Sequence, residues 1–381
     1  MLKKVGIVGG GPAGLYMAYL LKVQGLAEEV VIQEQNPHKA TYGFGVSLAG
    51  SSLAHFREMD EHSHTVLKEH MYTLQKQVID LPDERICVRA NRNAGAIGRA
   101  ELLIVLEELC QEVGVTVQHG KTFDSLSSLD DCDLIVGADG SNSAVRSELA
   151  AEFGTSTHYL GNRFSWYGTE CPFEGSTLSF VGGGDKGNWC GHHYRYSEAM
   201  STFVPECDSY TWEATGLNKM NDSQRRAFIE DLFADELQGY PLIENNSVWR
   251  RFRVTRNERW FFDNVVLVGD ALFAAHYSIG SGTRLAMEDI IALIEALRES
   301  PDSLESALAL FQEKREPARA RFENSCRTSW IWYEEMGDKL TTLPPYEFAY
   351  DYMTRTGRLN DDSLRAISPE FMDKLDLSRA A

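Results

Sequence analysis

The chain has 381 residues, with 37 Lys and Arg against 56 Asp and Glu, and its formal net charge is -19. A surface of that average charge repels polyanions, which argues against a nucleic acid or an acidic membrane as a partner. The composition, 43% hydrophobic and 24% charged, is typical of globular proteins and excludes a disordered or collagen-like chain.

The cysteines and the first residues indicate the compartment. The seven cysteines are widely spaced and include no C-x-x-C pair, so we predict reduced thiols, with neither a disulfide frame nor a metal site. The apolar run after Lys3 and Lys4 is interrupted at Gly9–Pro12, which argues against a signal peptide. No stretch approaches the roughly 18 apolar residues of a membrane helix. We therefore predict a cytoplasmic protein.

The first 35 residues have the pattern of a βαβ unit. Gly9, Gly11 and Gly14 form a G-x-G-x-x-G turn, in which the glycines allow a tight turn, backbone approach to a pyrophosphate, and close helix packing. Glu34 follows Gly14 by 20 positions, where a carboxylate can bind ribose hydroxyls. The sequence therefore predicts a dinucleotide site. The flanking strands are predicted at Val5–Val8 and Val30–Ile32.

A second motif follows a predicted helix over Ala100–Val113 and predicted strands at Val115–Val117 and Leu134–Val136. The last of these strands runs into Asp139 and Gly140, which could shape a turn near a phosphate, with Arg146 as a countercharge. An alternative remains open, in which Asp139 or Ser141 only caps the next helix.

The pattern changes between residues 155 and 255, where aromatic and β-branched residues alternate with polar ones. Such alternation predicts an antiparallel sheet. A buried strand is then predicted at Val265–Val268, and it ends at Gly269-Asp270. A glycine-rich loop over residues 278–283 precedes a helix predicted over residues 282–297, and its backbone N–H groups would face an anionic ligand.

With these three motifs in this order, the chain resembles the single-component FAD-dependent aromatic hydroxylases of the para-hydroxybenzoate hydroxylase type, over nearly its whole length. It is more similar still to the subgroup with salicylyl-CoA 5-hydroxylase, 2-aminobenzoyl-CoA monooxygenase/reductase and the tryptophan hydroxylase of violacein biosynthesis. The runs behind this closer resemblance are Ala96–Arg99, Trp166–Thr169, Met200–Phe203, His276–Thr283, Leu285–Asp289, Phe348–Ala349 and Thr354–Arg355.

The resemblance implies an α/β fold, in which a Rossmann-like FAD-binding domain is interrupted by an antiparallel-sheet substrate domain and followed by a C-terminal helical segment. The FAD-binding domain would comprise residues 1–75, 95–155 and 256–330. The substrate domain would comprise residues 76–94 and 156–255, and the helical segment residues 331–381. We expect Trp330, Trp332 and Tyr333 to dock a helix against the first domain.

The resemblance also implies the residues that bind FAD. Glu34 would bind the adenosine ribose, Arg99 would lie near the phosphates, and Asp270 would lie near the pyrophosphate and ribitol. No metal site is expected. The full set of expected FAD-binding residues is Gly9, Gly11, Pro12, Ala13, Gly14, Glu34, Gln35, Arg99, Asp139, Asp270, Gly280, Ser281, Gly282 and Thr283.

The implied reaction is aromatic hydroxylation. NADH or NADPH would reduce FAD transiently, O2 would then form a flavin C4a-hydroperoxide, and an electron-rich aromatic ring would attack it. The later runs favour an aryl-CoA substrate of the salicylyl or anthraniloyl type, and an indole or tryptophan-type substrate is the alternative. We expect a monomer or homodimer whose partners are this small aromatic substrate, O2 and NAD(P)H.

The residues that handle the substrate are less defined by the sequence. His276, beside the expected flavin loop, is the first candidate for a catalytic base, and His193 is the second. Trp166, Tyr167 and Tyr277 are expected to line the substrate, although packing explains aromatic residues equally well. The cluster over residues 250–256 could meet CoA phosphates or could form a solvated strand.

One departure from the family pattern raises a second hypothesis. The usual Ala-Ala-His after the Gly-Asp motif is replaced by Ala271-Leu272-Phe273, and the proline later in that motif is absent. A flavin-binding module without catalytic turnover is therefore the competing interpretation.

Overall fold

Seventeen strands and fifteen α-helices make up the described part of the chain. In this computed structural model, residues 1–48, 52–74, 76–89, 95–182, 186–280 and 282–380 are described. The strands are β1 (Leu2–Val8), β2 (Ala27–Glu34), β3 (Gly45–Leu48), β4 (Tyr72–Thr73), β5 (Lys76–Leu81), β6 (Glu84–Arg89), β7 (Gly95–Gly98), β8 (Val117–His119), β9 (Leu134–Gly137), β10 (Ser156–Phe164), β11 (Tyr167–Thr169), β12 (Ser176–Gly182), β13 (Asn188–Arg195), β14 (Ser201–Cys207), β15 (Arg250–Arg256), β16 (Phe261–Phe262) and β17 (Val265–Leu267).

The helices are concentrated after residue 260. They are α1 (Pro12–Val23), α2 (Ser52–Met59), α3 (Glu61–Glu69), α4 (Arg99–Glu112), α5 (Ala144–Glu148), α6 (Ser209–Ala214), α7 (Asp222–Leu232), α8 (Ala234–Leu237), α9 (Gly269–Leu272), α10 (Gly282–Glu299), α11 (Leu304–Glu334), α12 (Met336–Thr342), α13 (Pro345–Thr354), α14 (Asp361–Ile367) and α15 (Pro369–Ala380). No helix in the described ranges has the length and apolar character needed to cross a membrane.

The nucleotide-type sheet has the strand order β16-β17-β9-β1-β2-β8. All neighbours are parallel except β16 and β17, which pair antiparallel. Its apolar strands are buried on both faces, as a parallel sheet between helices requires. The strand predicted at Val115–Val117 begins two residues later, because Val115 N–H closes the end of α4 by donating to Cys110 O.

The second sheet combines strands from two distant segments. Its order is β15-β10-β14-β13-β12-β5-β6, with β11 paired to β14. The pairing of β12 with β5 is parallel, with Ser176 opposite Gln77, and the other pairs are antiparallel. Residues 76–89 and 156–256 therefore share one sheet, although the domain boundaries stay a prediction.

The two faces of this sheet bury different partners. One face packs Trp189, Tyr167 and Phe203 against helices α6 to α8. The opposite face packs Phe180 and Cys190 against the end of α11 and helices α12 to α15. Because side chains alternate along a strand, neighbouring residues of β13 belong to different faces.

Helix α11 joins the two cores. Its first half packs with the nucleotide-type sheet, and Trp330 also contacts that core. Trp332 and Tyr333 instead pack with the second sheet, and Trp332 Nε1 donates to Asp351 Oδ2 at 2.6 Å. The expectation that all three aromatic residues dock against the first domain is therefore correct for Trp330 alone, since the helix is long enough to leave that domain.

A buried charge cluster fixes α11 against α10. Asp289 is fully buried on α10, accepts a hydrogen bond from Arg315 Nε at 2.9 Å, and pairs with the buried Arg319. Arg319 also lies over the rings of Phe273 and Trp260. Buried charges require partners of opposite charge, so this cluster holds α11 in one position against α10.

Candidate active site

The three glycine-containing motifs meet at the carboxyl ends of β1, β9 and β17. A Cβ built on Gly9 would overlap Ala138 O, and a Cβ on Gly269 would lie 3.2 Å from Ala13 Cβ. In parallel α/β sheets this edge is where ligands bind. The fold thus brings together three motifs that are separated by more than a hundred residues each.

The turn before α1 has the geometry of a phosphate cradle. Gly9 has a φ of +107°, which L side chains rarely adopt, and a Cβ on Gly14 would overlap Gly9 O. Gly11 differs, because a Cβ there would meet no protein atom within 4 Å. The space beside Gly11 is therefore open for a ligand, at a helix start that carries no acidic residue and no side-chain cap.

Glu34 is held in place at the end of β2. Its Oε2 accepts from Gly10 N–H at 2.7 Å, and its Oε1 accepts from the backbone and side chain of Asn36, each at 2.7 Å. Gln35, next to it, is exposed. This carboxylate joins the glycine turn to the loop after β2, and its ribose contact stays a prediction.

Asp139 and Arg146 organise the second motif. Asp139 Oδ2 accepts from the N–H groups of Ala144 (2.6 Å) and Val145 (3.2 Å), so the capping role that the sequence left open is present. Asp139 Oδ1 is buried without a partner. Arg146 is buried and donates to Ala271 O and Ser141 O, so it holds the third motif in place rather than standing free for a phosphate.

Arg99 and Asp270 face the same cleft. The Asp270 side chain is exposed to the cleft. The surrounding protein nevertheless removes enough water to raise the pKa of Asp270, and the positive charges of Arg99 and Arg319 act to lower it. Burial lowers the pKa of Arg99, which Asp270 opposes, and Arg99 Nε is buried without a partner. Unpaired buried atoms on Arg99 and Asp139, beside an open glycine turn, fit a phosphate-containing cofactor such as FAD.

The loop before α10 completes this cleft. Gly280 has a φ of +54° and its carbonyl accepts from Ser47 Oγ at 2.8 Å. Gly282 and Thr283 begin α10, and a Cβ on Gly282 would meet no protein atom within 4 Å. Ser281, expected among the FAD-binding residues, lies outside the described residues.

Tyr277 connects this loop to the second sheet. Its ring lies 4.2 Å from that of Phe164 on β10 and 5.6 Å from that of His192 on β13. Burial and the nearby Glu206 raise the pKa of the Tyr277 hydroxyl, which has no hydrogen-bond partner within 3.5 Å although it lies close to that carboxylate. The hydroxyl of Tyr333, on α11 beside His192, is also buried and unpaired. Tyr277 therefore lies at the junction of the FAD cleft and the sheet face.

Glu206 lies in the centre of this sheet face, fully buried on β14. Its Oε1 accepts from Asn162 Nδ2 at 2.8 Å and its Oε2 from His192 Nε2 at 3.0 Å. Burial alone would raise the pKa of Glu206, but His192 and Asn162 outweigh it and hold the pKa below its ordinary value. The lowered pKa and the hydrogen-bond contact at each oxygen favour the carboxylate form of Glu206. Sequence reasoning missed Glu206 and considered His192 only as one of the aromatic residues that could line the substrate, and only the alternation of β13 and β14 could have paired the two.

His276 has a positioning role in the structure. Its side chain is buried, and its Nδ1 lies 2.7 Å from Ser278 Oγ, which is 2.8 Å from Ser329 Oγ. Burial lowers the pKa of His276 to about 4, so it is neutral at pH 7. Arg355 completes the network by donating to Ser329 Oγ and Ser278 O. His276 thus shapes the loop that carries Tyr277.

His193 and Tyr167 lie on the far face of the sheet. His193 is stacked on Phe203 at 5.3 Å and hydrogen-bonds to Ser179 Oγ, and burial lowers its pKa to about 3. Tyr167 is fully buried in the same core. The structure does not bring either residue to Tyr277, because β13 and β11 present them to α6–α8. Trp166 is half-buried, and its Nε1 donates to Thr202 Oγ1 on the face of the sheet that carries Glu206, which we call the near face.

One group of side chains has the composition of a metal site. His38 Nδ1, His119 Nε2 and Glu107 Oε1 lie 3.0–3.4 Å apart, at the edge of the nucleotide-type sheet. His119 and Glu107 already share a hydrogen bond, which accounts for the contact between them. We assign no metal to this group. All seven cysteines are free thiols, and Cys87 alone is exposed.

Comparison with known proteins decides the family. A family model described as an FAD binding domain matches residues 3–324. The chain belongs to this FAD-binding family. The open space at the glycine turn and the unpaired buried atoms of Arg99 and Asp139 fit such a cofactor, and their contacts with FAD stay a prediction.

Relatives of this FAD-binding protein are aromatic monooxygenases. It is 34% identical to salicyloyl-CoA 5-hydroxylase of Streptomyces sp, over 98% of this chain and 73% of the relative. It is also 34% identical to 3-hydroxy-4-methyl-anthranilyl-[aryl-carrier protein] 5-monooxygenase of Streptosporangium sibiricum, over 92% and 94%. Identity to protodeoxyviolaceinate monooxygenase of Chromobacterium violaceum is 28%, over 92% and 94%.

Solved structures share the fold. The tetrameric form of 2-methyl-3-hydroxypyridine-5-carboxylic acid oxygenase matches with a TM-score of 0.67 at 16% identity, over 96% of each chain. PqsL of P. aeruginosa in complex with 2-aminobenzoylacetate matches with a TM-score of 0.67 at 21% identity, over 87% of this chain and 97% of that one. These matches confirm the predicted fold class.

The protein is therefore an FAD-dependent aromatic monooxygenase that uses NAD(P)H and O2. FAD, when bound, supplies hydride acceptance and oxygen activation. The chain would hold the cofactor with the groups at the cleft, and the aromatic residues around Tyr277 on the adjoining sheet face could exclude water from a bound ring. The competing interpretation, a flavin module without turnover, is not favoured by these relatives.

Proposed function

We propose that the substrate of this monooxygenase is an aromatic acid masked as a thioester, a 2-hydroxybenzoyl- or 2-aminobenzoyl-CoA. The observation that carries the proposal is the ionised, fully buried Glu206 on the near face of the sheet. A free benzoate would bring a second carboxylate into the same dry space, where like charges repel strongly. A thioester removes that charge and keeps the ring.

The unpaired hydroxyls of Tyr277 and Tyr333 support the same substrate class. Buried hydroxyls without partners lose free energy unless a ligand satisfies them. A thioester carbonyl and an ortho hydroxyl or amine offer neutral acceptors and donors for these groups. Each nitrogen of Arg355 already donates one hydrogen bond, to Ser329 Oγ, Tyr352 O and Ser278 O, so the protein holds this guanidinium in place without a ligand.

Arg250 would receive a phosphate of the CoA arm. It is exposed, makes no ion pair with any described residue, and lies over the ring of Phe164 at 5.9 Å. Phe164 in turn contacts Tyr277, so one aromatic ring separates Arg250 from the centre of the face. In a chain of net charge -19, an unpaired arginine here favours an anionic ligand.

The first experiment compares the thioesters with the free acids. We expect 2-hydroxybenzoyl-CoA or 2-aminobenzoyl-CoA to stimulate NAD(P)H oxidation, with a product 16 mass units heavier, and with kcat/KM roughly 100-fold above that of salicylate or anthranilate, since ~3 kcal/mol separates the two at close range. Equal turnover of the free acids, or preferential turnover of tryptophan, would overturn the proposal.

The second experiment tests Arg250. Arg250→Gln should raise KM for the CoA thioester about tenfold with little change in kcat, because a remote phosphate contact binds ground state and transition state alike. Arg256→Gln is the matched control, since Arg256 is an exposed arginine at the other end of β15. Equal effects of the two variants would remove Arg250 from the proposal.

Size-exclusion chromatography with light scattering tests whether the enzyme is a monomer or a homodimer.

A further inference from the structure

We infer that His192, oriented by Glu206, is the base that accepts the proton of the ring hydroxyl during hydroxylation. The inference rests on the proposed function, since it assigns a residue to the substrate of that site. It concerns two residues that the sequence motifs did not single out.

The hydrogen bond to Glu206 fixes which nitrogen of His192 is free. An ionised carboxylate can only accept, so His192 Nε2 must carry the proton across the 3.0 Å contact. In the neutral ring the lone pair is then on Nδ1. No described residue hydrogen-bonds to Nδ1, so this nitrogen is available as an acceptor.

Contacts with neighbouring side chains also fix the position of the His192 ring. Asn162 Nδ2 donates to the other oxygen of Glu206 at 2.8 Å, so the carboxylate cannot turn away. The ring of His192 packs between those of Tyr277, at 5.6 Å, and Tyr333, at 5.0 Å. A carboxylate that orients an imidazole toward a reacting hydroxyl is a proven arrangement for proton transfer.

The neighbouring titratable groups leave this role to His192. His276 has its Nδ1 engaged by Ser278 and a pKa near 4, and His193 lies on the opposite face. Burial raises the pKa values of Tyr277 and Tyr333 well above the neutral range, and that of Cys190 as well, so none of them takes up a proton at pH 7. Arg355, a cation beside this face, has no lone pair to offer.

The proton step balances without a further reactant. The O–H bond of the ring hydroxyl breaks, an N–H bond forms at His192 Nδ1, and the resulting imidazolium is paired with Glu206. The electron pair stays on the ring oxygen and raises the electron density at the ortho and para carbons. The whole reaction consumes NAD(P)H, a proton and O2, and it yields the hydroxylated ring, NAD(P)+ and water. The proton on His192 returns to solvent after the product forms.

The test uses two substrates that differ in one group. His192→Asn should lower kcat for 2-hydroxybenzoyl-CoA by 10²- to 10³-fold, because general-base catalysis contributes that order. The same variant should lower kcat for 2-aminobenzoyl-CoA less than fivefold, since a neutral amine donates electrons without losing a proton. A ring-fluorinated 2-hydroxybenzoyl-CoA, whose hydroxyl is more acidic, should recover at least tenfold of the loss.

The pH profile separates catalysis from packing. In the wild type, kcat/KM for 2-hydroxybenzoyl-CoA should fall at acid pH, because a protonated base cannot accept the ring proton, and His192→Asn should remove this dependence. Glu206→Gln keeps the shape of the side chain but removes the negative charge that would stabilise the imidazolium, so it should lower kcat more for the hydroxy substrate than for the amino substrate. Bound FAD per chain and melting temperature establish that each variant is folded.

A surface pair provides the matched control. His62 Nε2 lies 2.9 Å from Glu112 Oε2, with both side chains more than half exposed, so His62→Asn removes the same kind of contact away from the site. It should leave every rate within twofold of the wild type. If His192→Asn lowered kcat equally for the hydroxy and amino substrates, the role of His192 as a base would be overturned, and the proposed function would stand. Inactivity of the wild type toward both thioesters would overturn the proposed function and this assignment together.

Discussion

Two glycines of the same turn should fail in different ways when each is replaced by alanine. A methyl group on Gly14 would overlap Gly9 O, which is backbone and cannot move aside, whereas a methyl group on Gly11 would meet no protein atom. We expect Gly14→Ala to destabilise the protein itself and Gly11→Ala to affect FAD binding alone.

The magnitudes follow from the contacts. Forcing a methyl group into a filled site costs about 3 kcal/mol. At roughly 2.1 cal/mol/K per residue, a chain of 381 residues has an unfolding entropy of about 0.8 kcal/mol/K, so Gly14→Ala should lower the melting temperature of the apoprotein by about 4 °C. Gly11→Ala should change it by less than about 1 °C.

FAD titration provides the second half of the test. The Gly11 methyl group would occupy the open space beside the helix start, so we expect the Kd for FAD to rise at least 100-fold, or about 2.7 kcal/mol. FAD at about 100 times the wild-type Kd should then raise the melting temperature of the wild type by several degrees and that of Gly11→Ala by less than about 1 °C. If Gly11→Ala destabilised the apoprotein as much as Gly14→Ala, or kept its FAD affinity, the assignment of the open space would be refuted.

Three further predictions concern groups away from the glycine turn. Asp289→Asn should lower the free energy of unfolding, measured by urea titration, by roughly 3–5 kcal/mol, because Arg319 would keep a buried charge without its partner. An effect below 1 kcal/mol would contradict the view that this charge cluster holds α11 against α10. Burial lowers the pKa values of His193 and His276 to about 3 and 4, from the ordinary 6.5, so the unfolded chain binds more protons than the folded one at acid pH. The free energy of unfolding should therefore decrease by ~3 kcal/mol between pH 7.5 and 5.5. His193→Gln should halve this decrease, and an unchanged decrease would refute the burial of His193 as its cause. A thiol reagent should modify Cys87 rapidly in the native protein and all seven cysteines in denaturant, since the others are buried, with the pKa of Cys110 raised to about 12; fast labelling of a second native cysteine would contradict that burial.

The cofactor half of the site was readable from the sequence because its signals are local. The turn at Gly9–Gly14 needs its glycines for backbone reasons, and those reasons act within six residues. The strands that flank it are apolar runs, and each of them occurs in the structure within a few residues of its prediction. Order along the chain then sufficed to predict the α/β fold class.

The substrate half was not readable because its signals are non-local. Glu206 and His192 are 14 residues apart, and their contact depends on the register that pairs His192 with Val204 on the neighbouring strand. A shift of one residue would have exposed His193 to the site instead, so two adjacent histidines could not be told apart without the sheet. For the same reason, Tyr167 was expected near the substrate although it lies in the opposite core.

The parallel pairing of β5 with β12 constrains how the chain reaches its native state. About 100 residues separate these partners, and the face they help to form is covered by helices that end at residue 380. Contacts between distant segments form slowly, because loop closure must precede them. During synthesis on the ribosome, the sheet face that carries Glu206 therefore stays uncovered until Leu375, the last residue of the covering core, has emerged. Truncation after α11 should leave an aggregation-prone protein rather than a smaller enzyme.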